Sequence, residues 1–127
     1  MTNTVLILGA SGKFGGHCAR AFENAGWTVH KFQRGKQNMT DAARGADVIV
    51  NGLNPPNYEN WATALPAITK EVIAAAKSNG ATILYPGNVY NFGDNAGVWG
   101  ESTPQITQTI KGQIRIDVEK MLRDAAE

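Results

Sequence analysis

Apolar residues in this chain fall into short blocks that alternate between two kinds of spacing. Val5-Leu6-Ile7-Leu8 is an unbroken apolar run, and Trp27-Thr28-Val29-His30-Lys31-Phe32-Gln33 alternates between apolar and polar. Ala46-Asp47-Val48-Ile49-Val50-Asn51 and Ala81-Thr82-Ile83-Leu84-Tyr85 are again short and rich in β-branched side chains. Runs of this length, bounded by glycine and turn residues, predict four strands. Between the first two, Phe14, Cys18, Ala21, Phe22 and Ala25 recur at helical spacing, and Gly26 ends that helix. Thr40 to Gly45 has room only for a short helical turn. A longer helix is predicted from about Glu59 to Ser78, closed by Asn79-Gly80, with Pro66 either kinking it or dividing a first turn from the main body. The last helix, from about Thr107 to Ala125, sets Ile110, Ile114, Val118, Met121 and Leu122 on one face.

Strands that alternate with helices predict an α/β fold: a parallel sheet of about four strands with flanking helices and right-handed crossovers. The expected sheet order is second strand, first, the Asp47 strand, then the Ala81 strand. That leaves the fourth strand as an open edge, and apolar edges recruit partners. A homodimer through this edge or through the outer helices is therefore expected.

Size and composition narrow the picture further. With 127 residues, 43% of them apolar, the chain can bury one real core, so a single domain spanning 1–127 is expected, with no repeat and no low-complexity tract. One cysteine, Cys18, excludes an internal disulfide framework and suits a reducing cytoplasm. No apolar stretch reads as a membrane span or a signal peptide. The net charge of +1, without a basic stripe interleaved with aromatics, argues against nucleic acid as the main partner. A small-molecule ligand is the expected one.

The chemistry concentrates at Gly9-Ala10-Ser11-Gly12-Lys13-Phe14-Gly15, directly behind the first strand and opening the first helix. Glycines at this spacing serve a sharp turn, close backbone approach to a pyrophosphate, and close packing of helix on strand. The helix N-terminus then offers free N–H groups and the positive end of its dipole to the anion. A dinucleotide is expected here, held by Gly9, Ser11, Gly12, Lys13, Phe14 and Gly15; the plain alternative is a structural turn with glycine caps. A P-loop is excluded by the letters, because Phe14 follows Gly12-Lys13 and Ile7 stands where the first glycine would be.

Which dinucleotide is read from the end of the second strand. NAD-binding folds place a carboxylate there for the ribose 2′-hydroxyl, but this chain has Arg34 flanked by Lys31 and Lys36. A guanidinium matches a 2′-phosphate through its planar fork of donors, and Ser11 and Lys13 can reach the same group. Residues 1–40 carry five cations against Glu23 alone. NADP(H) is therefore favoured over NAD(H), with a solvated loop cation as the alternative for Arg34. Residues 86–105 have no clear period and, with Gly52-Leu53-Asn54-Pro55-Pro56, follow strand carboxyl ends, where open α/β sheets bind ligands. Asn54, Asn88 and Tyr90 are the polar groups of interest there, although asparagines also cap turns and tyrosines also pack.

Taken together, Gly9-x-x-Gly12-x-x-Gly15, Asp47-Val48-Ile49-Val50 with Asn54-Pro55-Pro56, Tyr85-Pro86-Gly87-Asn88-Val89-Tyr90-Asn91-Phe92-Gly93, Glu101-Ser102-Thr103-Pro104 and Lys111-Gly112-Gln113-Ile114-Arg115 with Glu119 resemble the NAD(P)-dependent epimerase/dehydratase family. This is the extended or atypical branch of the short-chain dehydrogenase/reductases. The resemblance spans the chain but only the amino-terminal part of a family member. It implies a Rossmann-like domain truncated before the substrate lobe, and an oxidoreductase or epimerase acting on a small carbonyl or hydroxyl compound of sugar-nucleotide type. Family members also place a strand ending in Gly-Asp, whose aspartate holds adenine, where this chain has only Gly35 to Arg44.

The family's Tyr-x-x-x-Lys pair is missing. Four residues after Tyr58, Tyr85 and Tyr90 stand Ala62, Val89 and Asp94. In that pair the lysine lowers the tyrosine pKa for proton exchange with substrate. Aligning the final helix on Lys111 puts Thr107 at the tyrosine position; aligning it on Glu119 puts Lys111 at tyrosine and Arg115 at lysine. The family's Ser/Thr position falls near Pro86-Gly87-Asn88, where only Asn88 offers a side-chain donor. Lys111, Tyr90 and Asn88 are thus the candidate catalytic residues of an atypical enzyme, and a cofactor-binding sensor without turnover is the reading from another class.

Overall fold

A computed structural model describes residues 3–33, 35–53, 61–86 and 110–126. The elements are β1 (Thr4–Leu8), α1 (Lys13–Asn24), β2 (Thr28–Lys31), α2 (Met39–Ala42), β3 (Val48–Asn51), α3 (Trp61–Asn79), β4 (Thr82–Leu84) and α4 (Ile110–Ala125). The strands form one parallel sheet in the order β2-β1-β3-β4, as the sequence predicts. Register places Leu6 between His30 and Ile49, and Leu8 beside Asn51.

The chain divides into two compact units, Met1–Asn54 with Lys70–Pro86, and Pro55–Thr69 with Gly87–Glu127. In the first, β1 is the core: Val5, Leu6, Ile7 and Leu8 are all buried, which is what a central strand covered on both faces requires. On one face Val5, Ile7 and Val50 pack against Ala19 of α1, with Cys18, Phe22, Trp27, Val29 and Val48 around them. The chain moves from β1 one way to β2 and from β3 the other way to β4. Right-handed crossovers therefore put α1 and the Lys70–Asn79 part of α3 on opposite faces. Val72, Ala75 and Ala76 are its buried side chains there.

The buried stripe of α1 differs from the one spaced out in the sequence. Gly15 and Ala19 are its buried residues, Cys18 and Phe22 lie half-buried beside them, and Phe14, Ala21 and Ala25 are exposed. The cause is the closeness of helix and strand: only a glycine and an alanine fit the line of nearest approach, so larger side chains are displaced to its flanks. The helix ends as expected at Gly26, whose φ of 87° belongs to the left-handed region. Gly26 N–H donates to Glu23 O and Trp27 N–H to Phe22 O, a Schellman closure, and the Phe22 and Trp27 rings meet edge-on at 4.8 Å.

β2 is shorter than its alternating pattern, because regular pairing stops at Lys31 and only Phe32 N–H continues, donating to Ile7 O. Among the described residues, the interval between β2 and β3 holds α2 and no strand. Pro66 lies inside a continuous α3, so the helix is not divided there. Three residues on, buried Thr69 donates its Oγ1 hydrogen to Leu65 O at 2.8 Å. In the second unit α4 buries Ile114, Arg115 and Val118, with Met121 and Leu122 half-buried, in agreement with its predicted face. β4 stands last in the sheet among the described residues, and Leu84 on it is exposed.

Candidate dinucleotide site

The exit of β1 is shaped by backbone contacts. Gly9 has φ 76°, where a side chain is strained, and a Cβ built on it would lie 2.5 Å from Gly52 O. A Cβ on Gly15 would run into the carbonyl oxygen of Gly9. A Cβ on Gly52 would come within 2.7 Å of Leu8 O and touch Gly15 at 3.5 Å. Gly9, Gly15 and Gly52 therefore interlock, and the ladder bond from Gly52 N–H to Leu8 O at 2.9 Å holds the third member in place.

Gly12 is different. It is the N-cap of α1 with φ −84°, and a Cβ there would meet only Gly9 O at 3.4 Å, an ordinary contact. Neither backbone strain nor packing within the protein requires a glycine at this position. The absent side chain instead keeps open the approach to the helix N-terminus, as a pyrophosphate requires. That N-terminus has no side-chain cap and no acidic residue in its first turn, so its N–H groups and positive dipole end face outward without a competing carboxylate. Ser11, Gly12, Lys13 and Phe14 are exposed around it, whereas Gly15 is buried as the packing glycine. The residues present fit a diphosphate.

At the exit of β2, Lys31 is exposed before a self-bonded turn and Lys36 is exposed within it. Gln33 O accepts from Lys36 N–H and Gln37 N–H, and Gln33 N–H donates back to Gln37 Oε1 at 2.9 Å. No carboxylate occurs between Lys31 and Thr40. Arg34 itself lies outside the described residues, as do Asn54, Asn88 and Tyr90. Lys111 is the second residue of α4, in the other unit from the glycine turn.

Asn51, which the sequence pattern did not single out, and Gly52, read there only as the start of the segment after the third strand, belong to this region. Asn51, at the carboxyl end of β3, is 2% exposed, and its Oδ1 accepts from Leu53 N–H at 3.3 Å. Gly52 closes the glycine interlock. The available signal was a polar residue and a glycine ending an otherwise apolar run. Elsewhere, burial pushes the Cys18 thiol pKa above its ordinary value, as for a small packed side chain. No group of His, Cys, Asp and Glu among the described residues could hold a metal ion, and none of their helices is long and apolar enough to cross a membrane.

No family model and no curated protein matches the sequence. Solved structures do match. They include a UDP-N-acetylglucosamine 4-epimerase from Bacillus cereus (TM-score 0.82, 13% identity, 98% of this chain and 55% of that one). MoeE5 in complex with UDP-glucose and NAD matches with a TM-score of 0.80 at 15% identity, over 98% of this chain and 49% of that one. A dTDP-4-dehydrorhamnose reductase from Bacillus anthracis in complex with NADP gives 0.77 at 16% identity, over 98% and 50%. The chain thus has the Rossmann-like fold found in these epimerases and reductases, and it spans about half the length of the structures it matches. The expected likeness to epimerase/dehydratase proteins holds at the level of fold.

Proposed function

We propose that this chain is the NADP(H)-binding domain of an atypical epimerase/dehydratase-type oxidoreductase acting on a small carbonyl or hydroxyl compound of sugar-nucleotide type. The observation that carries the reading is Gly12: a glycine that the protein's own packing does not need, at an uncapped helix N-terminus behind a buried parallel strand. Preference for NADP(H) rests on the cationic, carboxylate-free exit of β2, with Lys31, Arg34 and Lys36 as the groups that meet a 2′-phosphate. When bound, the nicotinamide would supply hydride transfer. Lys111 or Tyr90 would polarise the substrate carbonyl, Asn88 would offer an amide donor, and Asn54 would border the cofactor. The substrate class is suggested by the sugar-nucleotide enzymes that share the fold. A cytoplasmic setting belongs to the same reading, supported by the single free thiol.

A second reading has one observation in its favour. None of Tyr58, Tyr85 and Tyr90 has a lysine four residues on, which fits a module that senses the cofactor without turning it over. Fluorescence titration with NADPH and NADH, repeated on Arg34→Ala, tests the binding claim. Tighter NADPH binding that the variant loses supports it, and no binding of either cofactor ends it. A module that senses redox state would bind NADP⁺ and NADPH with different affinity and reduce no sugar-nucleotide carbonyl; an enzyme would turn one over.

A further inference from the structure

We propose that β2 is a self-pairing edge: two copies of this chain join β2 to β2 antiparallel about a two-fold axis at His30, making one continuous sheet of their two 4-stranded ones. Among the described residues β2 ends the sheet on one side, and the chain leaves it through α2 to return at β3, beyond β1. Thr28, His30 and Lys31 are exposed. Thr28 N–H donates to Asn3 O and Phe32 N–H to Ile7 O, so the alternation of a parallel strand turns Thr28, His30 and Phe32 toward β1. The main-chain groups of Val29 and Lys31 then point away from the sheet, with no partner among the described residues. The free edge stops there at both ends. Trp27 N–H is taken by Phe22 O, and the N–H and carbonyl of Gln33 are both bonded within its own turn.

An edge of this length fits a copy of itself. In an antiparallel pair, opposed residues at alternate positions exchange N–H···O=C bonds in both directions. With Val29 of one copy opposite Lys31 of the other, the two-fold axis repeats the pair in reverse, and every outward group finds a partner. The neighbouring registers are worse. Lys31 opposite its own copy sets two ammonium groups side by side, and Val29 opposite its own copy leaves Lys31 facing Trp27, whose N–H is already used. Val29 packs on the α1 face of the sheet and is half-buried. Lys31, two residues on, shares that face, so its aliphatic stem covers Val29 of the other copy. The opposite edge is a poorer template. Thr82 N–H donates to Asp47 O, which turns Thr82 and Leu84 toward β3 and leaves only Ile83 of β4 facing outward.

The pairing has a chemical signature. His30 meets its own copy across a non-hydrogen-bonded pair with Cα atoms about 4.5 Å apart, inside disulfide range, whereas Thr28 lies about 14 Å from its own copy. In a Cys18→Ala background, mild oxidation should therefore link His30→Cys into a dimer on a non-reducing gel and leave Thr28→Cys a monomer. Lys31→Pro removes an N–H that β1 does not use, so it should keep the fold by circular dichroism and raise the dimer dissociation constant at least about tenfold in sedimentation equilibrium. Wild type that stays monomeric at its highest soluble concentration overturns the proposal, as does a folded Lys31→Pro that dimerises like wild type. A wild-type dimer in which His30→Cys fails to cross-link, or Thr28→Cys cross-links equally, overturns it too, since the interface then lies elsewhere. Should Lys31→Pro unfold, wild-type sedimentation and the two cysteine variants decide by the same criteria.

Discussion

The exits of β1 and β2 lie on neighbouring strands of one sheet, yet they are built in different ways. At β1, the turn is fixed by main-chain atoms: Gly9, Gly15 and Gly52 approach so closely that side chains are excluded, and the ladder holds the contact. At β2, the chain leaves the sheet through a surface turn bonded to itself, with lysines exposed on it. The interlocked glycines of the first region can only be altered by disturbing the fold. The second can change its charge at little structural cost. On our reading, affinity for a dinucleotide resides in the first and choice between dinucleotides in the second.

The strongest way to break this contrast is Gly15→Ala. Its Cβ would collide with the Gly9 carbonyl, so α1 must move from β1 at a cost of about 2–3 kcal/mol. Urea denaturation should show that loss, with dinucleotide binding abolished as well; a variant as stable as wild type would mean the interlock is looser than these contacts require. Gly12→Ala separates the two roles. Its Cβ meets only an ordinary contact, so stability should stay within about 1 kcal/mol. NADPH affinity, by contrast, should fall at least about tenfold, because the methyl group occupies the approach to the helix N-terminus. Isothermal titration on the folded variant decides it, and unchanged affinity would remove the main support for a diphosphate at this turn.

How much of the molecule could be read from the sequence obeys the same division. The parallel sheet, its strand order and the glycine turn were legible because β1 is an apolar run covered on both faces and glycines at fixed spacing have few alternative uses. The stripe of α1 was misplaced, because periodicity counts large apolar residues while the line of closest approach takes Gly15 and Ala19. Gly52 was legible as the end of a strand but not as a partner of Gly9, since that contact joins residues far apart in the chain. Asn51 was hidden for a related reason: a polar letter ending an apolar run reads as a boundary, and only the fold shows it buried and paired with Leu8. Lys111 was chosen by resemblance, whereas Asn88 and Tyr90 were chosen also for their loop at a strand's carboxyl end, and both lie outside the described residues.

At the exit of β2, Arg34→Ala should weaken NADPH by about tenfold to a hundredfold, the worth of a charge-assisted contact, and leave NADH within about twofold. Because Lys31 and Lys36 are exposed, the preference should also shrink as ionic strength rises and the Debye length falls. Competition titrations at two salt concentrations read both effects, and a parallel loss of NADH would show that Arg34 supports the turn instead of reading the phosphate.

The smallest effect tests whether the β2 exit is independent of α2, the short helix next along the chain. Asn38 caps α2, its Oδ1 accepting from Asp41 N–H at 3.1 Å, so Asn38→Ala should cost about 1 kcal/mol and lower the melting temperature by about 4 °C. The short helix has other anchors: Met39 and Ala43 are buried, and Asn79 Nδ2 donates to Thr40 O at 3.2 Å. The preceding turn is closed by its own bonds between Gln33, Lys36 and Gln37. Losing the cap should therefore leave the cations where they are, and NADPH affinity should change by less than about twofold. A tenfold loss would mean that α2 positions the exit of β2, and that the choice of dinucleotide, like the turn at β1, is held by the fold after all.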